Sequence, residues 1–174
     1  MEKDCLEVIR TRRSCRKYRK EQIKDNELKT VLEAGTYAPT SRGMQAPFIV
    51  AIQNAELLSR LAKMNADVMG TTTNPYYDAP TYILVLVSTE SHNPICDGSC
   101  VLENMMLAAN ALGLGTCWIH REREMFETAE GKQLLKEWGL PEDVIGVGAL
   151  SIGYPDGEPS PAKPRKEGYC RIIK

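Results

Sequence analysis

The chain of 174 residues carries 22 lysines and arginines against 23 aspartates and glutamates, and is 43% hydrophobic and 26% charged. That apolar share excludes a disordered chain, and 13 glycines with 10 prolines fall far short of a collagen-like one. The length predicts a single domain over 1–174, large enough to bury a core without disulfide or metal staples.

Along the chain, Asp4 stands where an N-cap would open a short helix over Cys5–Thr11. Asp25 reads as the cap of a second helix, Glu27–Tyr37, with Leu28, Val31 and Leu32 on one face and Pro39 past its end. Pro47–Ile52 predicts a strand, and Asn54 caps a helix running to about Lys63. A polar turn, GTTTNPYYDAP, leads to the strongest strand signal, Thr81–Val87. The best helix covers Asp97–Leu112, where Val101, Leu102, Met105, Met106, Ala108, Ala109 and Leu112 spread over more than a narrow stripe and predict burial on much of its circumference. Gly113 stops it, and Thr116–His120 reads as a buried strand. One or two helices occupy Glu122–Trp138, closed by Gly139 and Pro141; Val144–Ile152 is a glycine-spaced strand before a proline-rich tail.

Alternating helices and strands suggest a doubly wound α/β sheet, while the helical start and coil tail suit it less, so pattern alone leaves α/β and α+β open. Positive charge gathers at both ends. Residues 10–20 hold Arg10, Arg12, Arg13, Arg16, Lys17, Arg19 and Lys20 with no acid, and 163–174 add five cations against Glu167 alone, whereas 21–162 carry nine basic and nineteen acidic residues. A fold that joined the two ends would make one anion site. No apolar run nears the roughly 20 residues of a membrane span, and the first residues lack a secretory signal. The six cysteines, at 5, 15, 96, 100, 117 and 170, form no CxxC pair. These features predict a soluble cytoplasmic protein with reduced thiols and no membrane partner.

Three segments could bear chemistry, and each has a plainer reading. Arg12-Arg13-Ser14-Cys15-Arg16 offers guanidinium forks and a hydroxyl to an anion such as phosphate, or forms a solvated basic edge or a nucleic-acid patch. Ala38–Pro47, with Ser41, Arg42, Gly43 and Gln45, presents donors and acceptors on a loop, or merely connects a helix to a strand. Gly113–His120 is not GxGxxG and follows a helix, which rejects a dinucleotide-binding turn, and Gly146-Val147-Gly148 fails likewise. His92 and His120 lack metal-ligand spacing, and no G-x-S-x-G elbow marks a nucleophile, so no metal and no catalytic side chain is predicted.

Taken in order, RRSCRKY, APTSRGMQAPF, NPYYDAP, DGSCVLENMMLAANALGLGTCWIH and IGYPDGEPSPAKPRKEGY resemble the nitroreductase family of flavoenzymes, from about residue 9 to the C-terminus. The resemblance implies an α+β fold with an antiparallel-rich central sheet flanked by helices, a homodimer with FMN at the subunit interface, and NAD(P)H as co-substrate. By motif, Arg12, Arg13 and Ser14 would bind the phosphate and ribityl end, Arg16 would approach the ribityl and pyrimidine side, and Lys163 and Arg165 would close over the phosphate. Ser41, Arg42, Gly43 and Gln45 would line the flavin of the other subunit, and Asn65 would hydrogen-bond the isoalloxazine. The backbone of Cys117, Trp118, Ile119 and His120 would pass along one ring face. Two departures mark the 38–47 loop: Gly43 stands near a family Asn, and Ala46-Pro47-Phe48 replace a Pro-Trp pair. The implied activity is ping-pong hydride transfer from NAD(P)H to a nitroaromatic, quinone or enone. Rival readings are reductive dehalogenation, a flavin carrier or redox sensor without turnover, and a basic nucleic-acid module; the near-neutral total charge and lack of interleaved aromatics weigh against the last.

Overall fold

A computed structural model describes residues 4–174. In chain order the elements are α1 (Cys5–Thr11), α2 (Asp25–Thr36), β1 (Pro47–Ile52), α3 (Ala55–Met69), β2 (Thr81–Ser88), α4 (Pro94–Ala111), β3 (Gly115–Ile119), α5 (Glu122–Glu127), α6 (Ala129–Glu137) and β4 (Val144–Gly153), with a short 3-10 turn at Ser41–Gly43 between α2 and β1. The four strands form one sheet in the order β1-β2-β4-β3, and every neighbouring pair is antiparallel. This decides for α+β and against the doubly wound sheet that alternation suggested. A helix between two strands does not force a parallel crossover: α3 carries the chain away from the end of β1, and the 70–80 segment returns it to the same end of the sheet to start β2.

β2 is central and buried on both sides, which is why it reads as a continuous apolar run. Tyr82, Leu84 and Leu86 face a layer made by α3, α5 and α6, while Ile83, Val85 and Val87 face α2 and α4; the alternation is the two-residue period of a pleated strand. α4 buries Val101, Leu102, Met105, Met106 and Ala109. It lies so close to β4 that a Cβ on Gly98 would sit 2.6 Å from a Val147 methyl.

Three expected boundaries shift. Lys24, not Asp25, is the cap of α2, and Glu27 accepts the Lys24 backbone N–H at 3.0 Å. α3 continues past Lys63 to Met69, where Gly70 closes it at φ 69°; Asn65 and Asp67 interrupt the apolar phase, yet Asn65 is buried. α4 opens at Pro94, a favoured first helical position because its missing N–H needs no partner there. Asp4 caps α1 as expected, accepting the Leu6 N–H. Among the described residues no helix is long and apolar enough to cross a membrane, all six cysteines are unpaired, and no group of metal-ligating side chains gathers.

Candidate active site

The site grows from the edge of the sheet. β3 is an outer strand, so one side of its backbone is open to pairing. α1 ends where Arg12 turns extended, at φ −55° and ψ 131°. The chain then runs beside β3: Ser14 bridges Thr116 in parallel, and the Cys15 N–H donates to the Thr116 carbonyl at 2.8 Å. Gly115 makes room, since a Cβ there would meet Cys15 at 2.7 Å. One face of this segment borders a cleft of about 620 Å³ reaching Asn110 and Gly113 at the end of α4. Its other face lines a cleft of about 740 Å³ where Arg12, Arg13, Ser14 and Arg16 meet Lys163 and Arg165, with no acidic residue in the wall. Both charged ends of the sequence therefore arrive at one place.

Within that cleft several cations are already oriented. Arg13 Nη1 donates to the carbonyls of Arg10 and Arg12, at 2.8 and 2.6 Å, and Arg165 donates to the Lys163 carbonyl at 2.7 Å. Arg16 Nε donates to the Tyr77 hydroxyl at 3.2 Å, with the guanidinium carbon 5.7 Å from the ring centre. That hydrogen bond is the chief reason the Arg16 pKa is raised. Tyr77, in left-handed backbone at φ 58°, is a residue sequence reasoning missed; the NPYYDAP turn was its only signal. Burial pushes the Cys117 thiol up, while Arg16, the Ser14 hydroxyl and Arg12 pull it partly back.

Along β3 the side chains of Cys117 and Ile119 are buried, Trp118 is half-buried and His120 is exposed. Thr116 turns its carbonyl outward to Cys15, and the period of the strand turns the backbone of Trp118 the same way, along the open edge. The outward backbone at Trp118 and the exposed His120 side chain are what this end of the edge offers a ligand.

The Ser41–Gln45 loop lies elsewhere. Arg42, Gly43 and Gln45 have φ of 55°, 66° and 50°. The loop is pinned by Asp97, which accepts the Ser41 N–H at 2.9 Å and its hydroxyl at 3.0 Å, with Ser91 donating at 2.8 Å. Burial pushes the Asp97 carboxyl up, but these bonds outweigh it and hold the carboxyl below its ordinary value. Ser41 also accepts from Asn93, so its hydroxyl is engaged within the chain. Asp97 lies in the first turn of α4 and Asn110, on the wall of the 620 Å³ cleft, in its last, a separation of roughly 20 Å at 1.5 Å per residue. The loop does not reach the cleft of its own chain.

Asn65 is the one expected site residue that the fold withdraws. It is fully buried, and its amide donates inward to the His120 carbonyl at 2.8 Å. No atom of it is accessible to an isoalloxazine ring; its polarity serves the core side of β3.

The family model described as "Nitroreductase family" matches residues 9–80 and 73–154. The chain belongs to the nitroreductase family. A relative from Archaeoglobus fulgidus, named as an NADH dehydrogenase/NAD(P)H nitroreductase, is 31% identical over 89% of this chain and 87% of its own. The NADPH-flavin oxidoreductase of Vibrio harveyi is 28% identical over 96% of this chain and 72% of its own. A solved nitroreductase with bound FMN from Bacteroides fragilis superposes with a TM-score of 0.91 at 30% identity, covering 99% of this chain and 100% of that one. The antiparallel sheet between helical layers is the nitroreductase fold that the sequence motifs implied.

Proposed function

We propose that the chain is an FMN-dependent NAD(P)H oxidoreductase that reduces electron-poor small molecules such as nitroaromatics, quinones or enones. The observation that carries this reading is the acid-free cleft in which Arg12, Arg13, Ser14 and Arg16 meet Lys163 and Arg165. That donor set fits the phosphate of a flavin mononucleotide: guanidinium forks match phosphate oxygens two at a time, and a hydroxyl adds a further donor. The flavin-binding names and bound FMN of relatives support the same reading.

FMN, when bound, supplies the two-electron redox chemistry that no side chain here can provide. The chain's residues bind, orient and tune. Arg12, Arg13 and Ser14 hold the phosphate end, and Lys163 and Arg165 close over it. Arg16, fixed by Tyr77, places a permanent positive charge on the ribityl and pyrimidine side, which favours an anionic reduced ring. The open backbone edge at Trp118 would lie against one face of the ring. Reductant and acceptor would occupy the open side of the site in turn, a ping-pong scheme in which solvent would supply the protons; no side chain is assigned as general acid or base.

The active form is a homodimer. The Ser41, Arg42, Gly43 and Gln45 loop lines neither cleft of its own chain, which supports its serving the cleft of a second copy. The tail residues Tyr169, Ile172 and Ile173, 79–90% exposed, supply apolar surface for that contact. The unpaired thiols suit a reducing cytoplasm.

The test is an absorbance spectrum of the purified protein, followed by anaerobic NADH or NADPH. The expected result is a flavin spectrum that bleaches and then recovers with a quinone or nitroaromatic. A flavin that stays oxidised with both nucleotides points to a carrier or sensor. A colourless protein that takes up no added FMN sinks the reading.

A further inference from the structure

Behind the end of β3 three polar side chains meet inside the core. Asn65 on α3, Tyr76 in the turn before β2 and Glu122 at the start of α5 are all fully buried. Asn65 Nδ2 donates to the His120 carbonyl at 2.8 Å and to the Tyr76 hydroxyl at 3.4 Å. Tyr76 donates to Glu122 Oε1 at 2.8 Å, with Met125 Sδ 3.8 Å away. Two buried atoms of this group have no partner, Asn65 Oδ1 and Glu122 Oε2. With Glu122 ionised both are acceptors, and neither can satisfy the other. A proton on Oε2 turns it into a donor, for which Asn65 Oδ1 is the acceptor left free in this group.

We propose that Asn65, Tyr76 and a protonated Glu122 close a ring of hydrogen bonds that positions the His120 carbonyl, and through it the end of β3 against the flavin. In the ring Asn65 Nδ2–H donates to the Tyr76 oxygen, Tyr76 O–H to Glu122 Oε1, and Glu122 Oε2–H to Asn65 Oδ1. Glu122 and Asn65 are positioning residues, because they act through His120. The flavin part of the proposal rests on the function proposed above; the ring itself does not.

The surroundings favour the neutral acid. Among the described residues α3 contributes the Asn65 amide, the turn before β2 the Tyr76 hydroxyl, and β2 the Tyr82 ring, stacked on Tyr76 with centroids 4.0 Å apart. β4 presents the bare backbone of Gly146, where a Cβ would strike the Glu122 carbonyl. On its own segment, Arg121 pulls the carboxyl down and Glu124 pushes it up. Burial is the largest influence and raises it to about 8, against the lowering effect of Tyr76 and backbone hydrogen bonds. An acid whose pKa is higher folded than unfolded contributes stability fully below its unfolded value. That contribution falls as pH rises from about 4.5 and is exhausted once pH passes about 8.

The test compares the full chain with Glu122→Gln, which keeps a donor in place of the acid, and with Tyr76→Phe, which breaks the ring. Three readouts are taken: the infrared carbonyl band of a protonated carboxylic acid at pH 7, the thermal midpoint without FMN from pH 4.5 to 9, and the absorbance of bound FMN from pH 6 to 9. The expected results are an acid band absent from Glu122→Gln and shifted in Tyr76→Phe, and a thermal midpoint whose fall up to about pH 8 is flattened in Glu122→Gln. The flavin absorbance should change with a midpoint near pH 8 in the natural chain and not in Glu122→Gln. An ionised Glu122 at pH 7 overturns the ring. An acid band with pH-independent flavin absorbance overturns the positioning role. Failure to take up FMN would count against the proposed function instead, and the first two readouts would still decide the ring.

Discussion

At the scale of single residues, chemistry and position were legible to different degrees. The motif Arg12–Arg16 announces its charge in any context, and the fold needed only to bring Lys163 and Arg165 beside it. Among the described residues no hydrogen bond uses the Arg12 guanidinium, and the residue is half-buried at the cleft rim. Arg12→Ala should therefore fold normally and weaken FMN binding by about 2 kcal/mol, roughly thirty-fold in Kd, the usual worth of a charge-assisted hydrogen bond. Fluorescence titration of the apo-protein with FMN measures it, and unchanged affinity would remove Arg12 from the phosphate site. Asn65 shows the limit of residue-level reading. Its side chain suits a ligand or a core strut equally, and only its burial separates the two. Ser41 is similar, because its hydroxyl is spent on Asp97, which lies 56 positions further along the chain.

Among the elements, local signals located almost everything. Helix α1, strand β1 and the pair α5 and α6 fall where caps, apolar runs and glycines put them, since those signals depend on neighbours a few residues away. The ends of α3 and α4 moved because burial overrode polarity at Asn65 and because Pro94 opens a helix instead of preventing one. The coupling of the 41–45 loop to α4 was not legible, although both segments were singled out. Asp97 accepts three hydrogen bonds, two that hold the loop through Ser41 and one from Ser91. Asp97→Ala leaves the Ser41 N–H and the Ser91 hydroxyl without their acceptor, at a cost of about 2–3 kcal/mol. For a chain of this length that lowers Tm by roughly 4–12 °C. Thermal unfolding followed by circular dichroism checks it, and a fall of a degree or less would mean the loop is held by other contacts.

For the whole molecule, the governing fact is that an acidic body has basic ends and the fold joins them. The cleft so formed is not lined by the 41–45 loop of its own chain, which is the geometric case for a site completed by a second copy. Dilution until the copies separate should release FMN, seen as recovery of free-flavin fluorescence together with a smaller hydrodynamic radius. A monomer that retains its flavin would refute a shared site. By itself the sequence determined the composition class, most of the elements, the family and the cationic character of the site, because these depend on residue type and short-range order. The tertiary structure alone decided the antiparallel direction of the strands, the meeting of residues 12–16 with 163–165, the withdrawal of Asn65 into the core and the ring it shares with Tyr76 and Glu122. Those outcomes depend on contacts between residues far apart in the chain, and on burial, which pushes an ordinary carboxyl toward its neutral form.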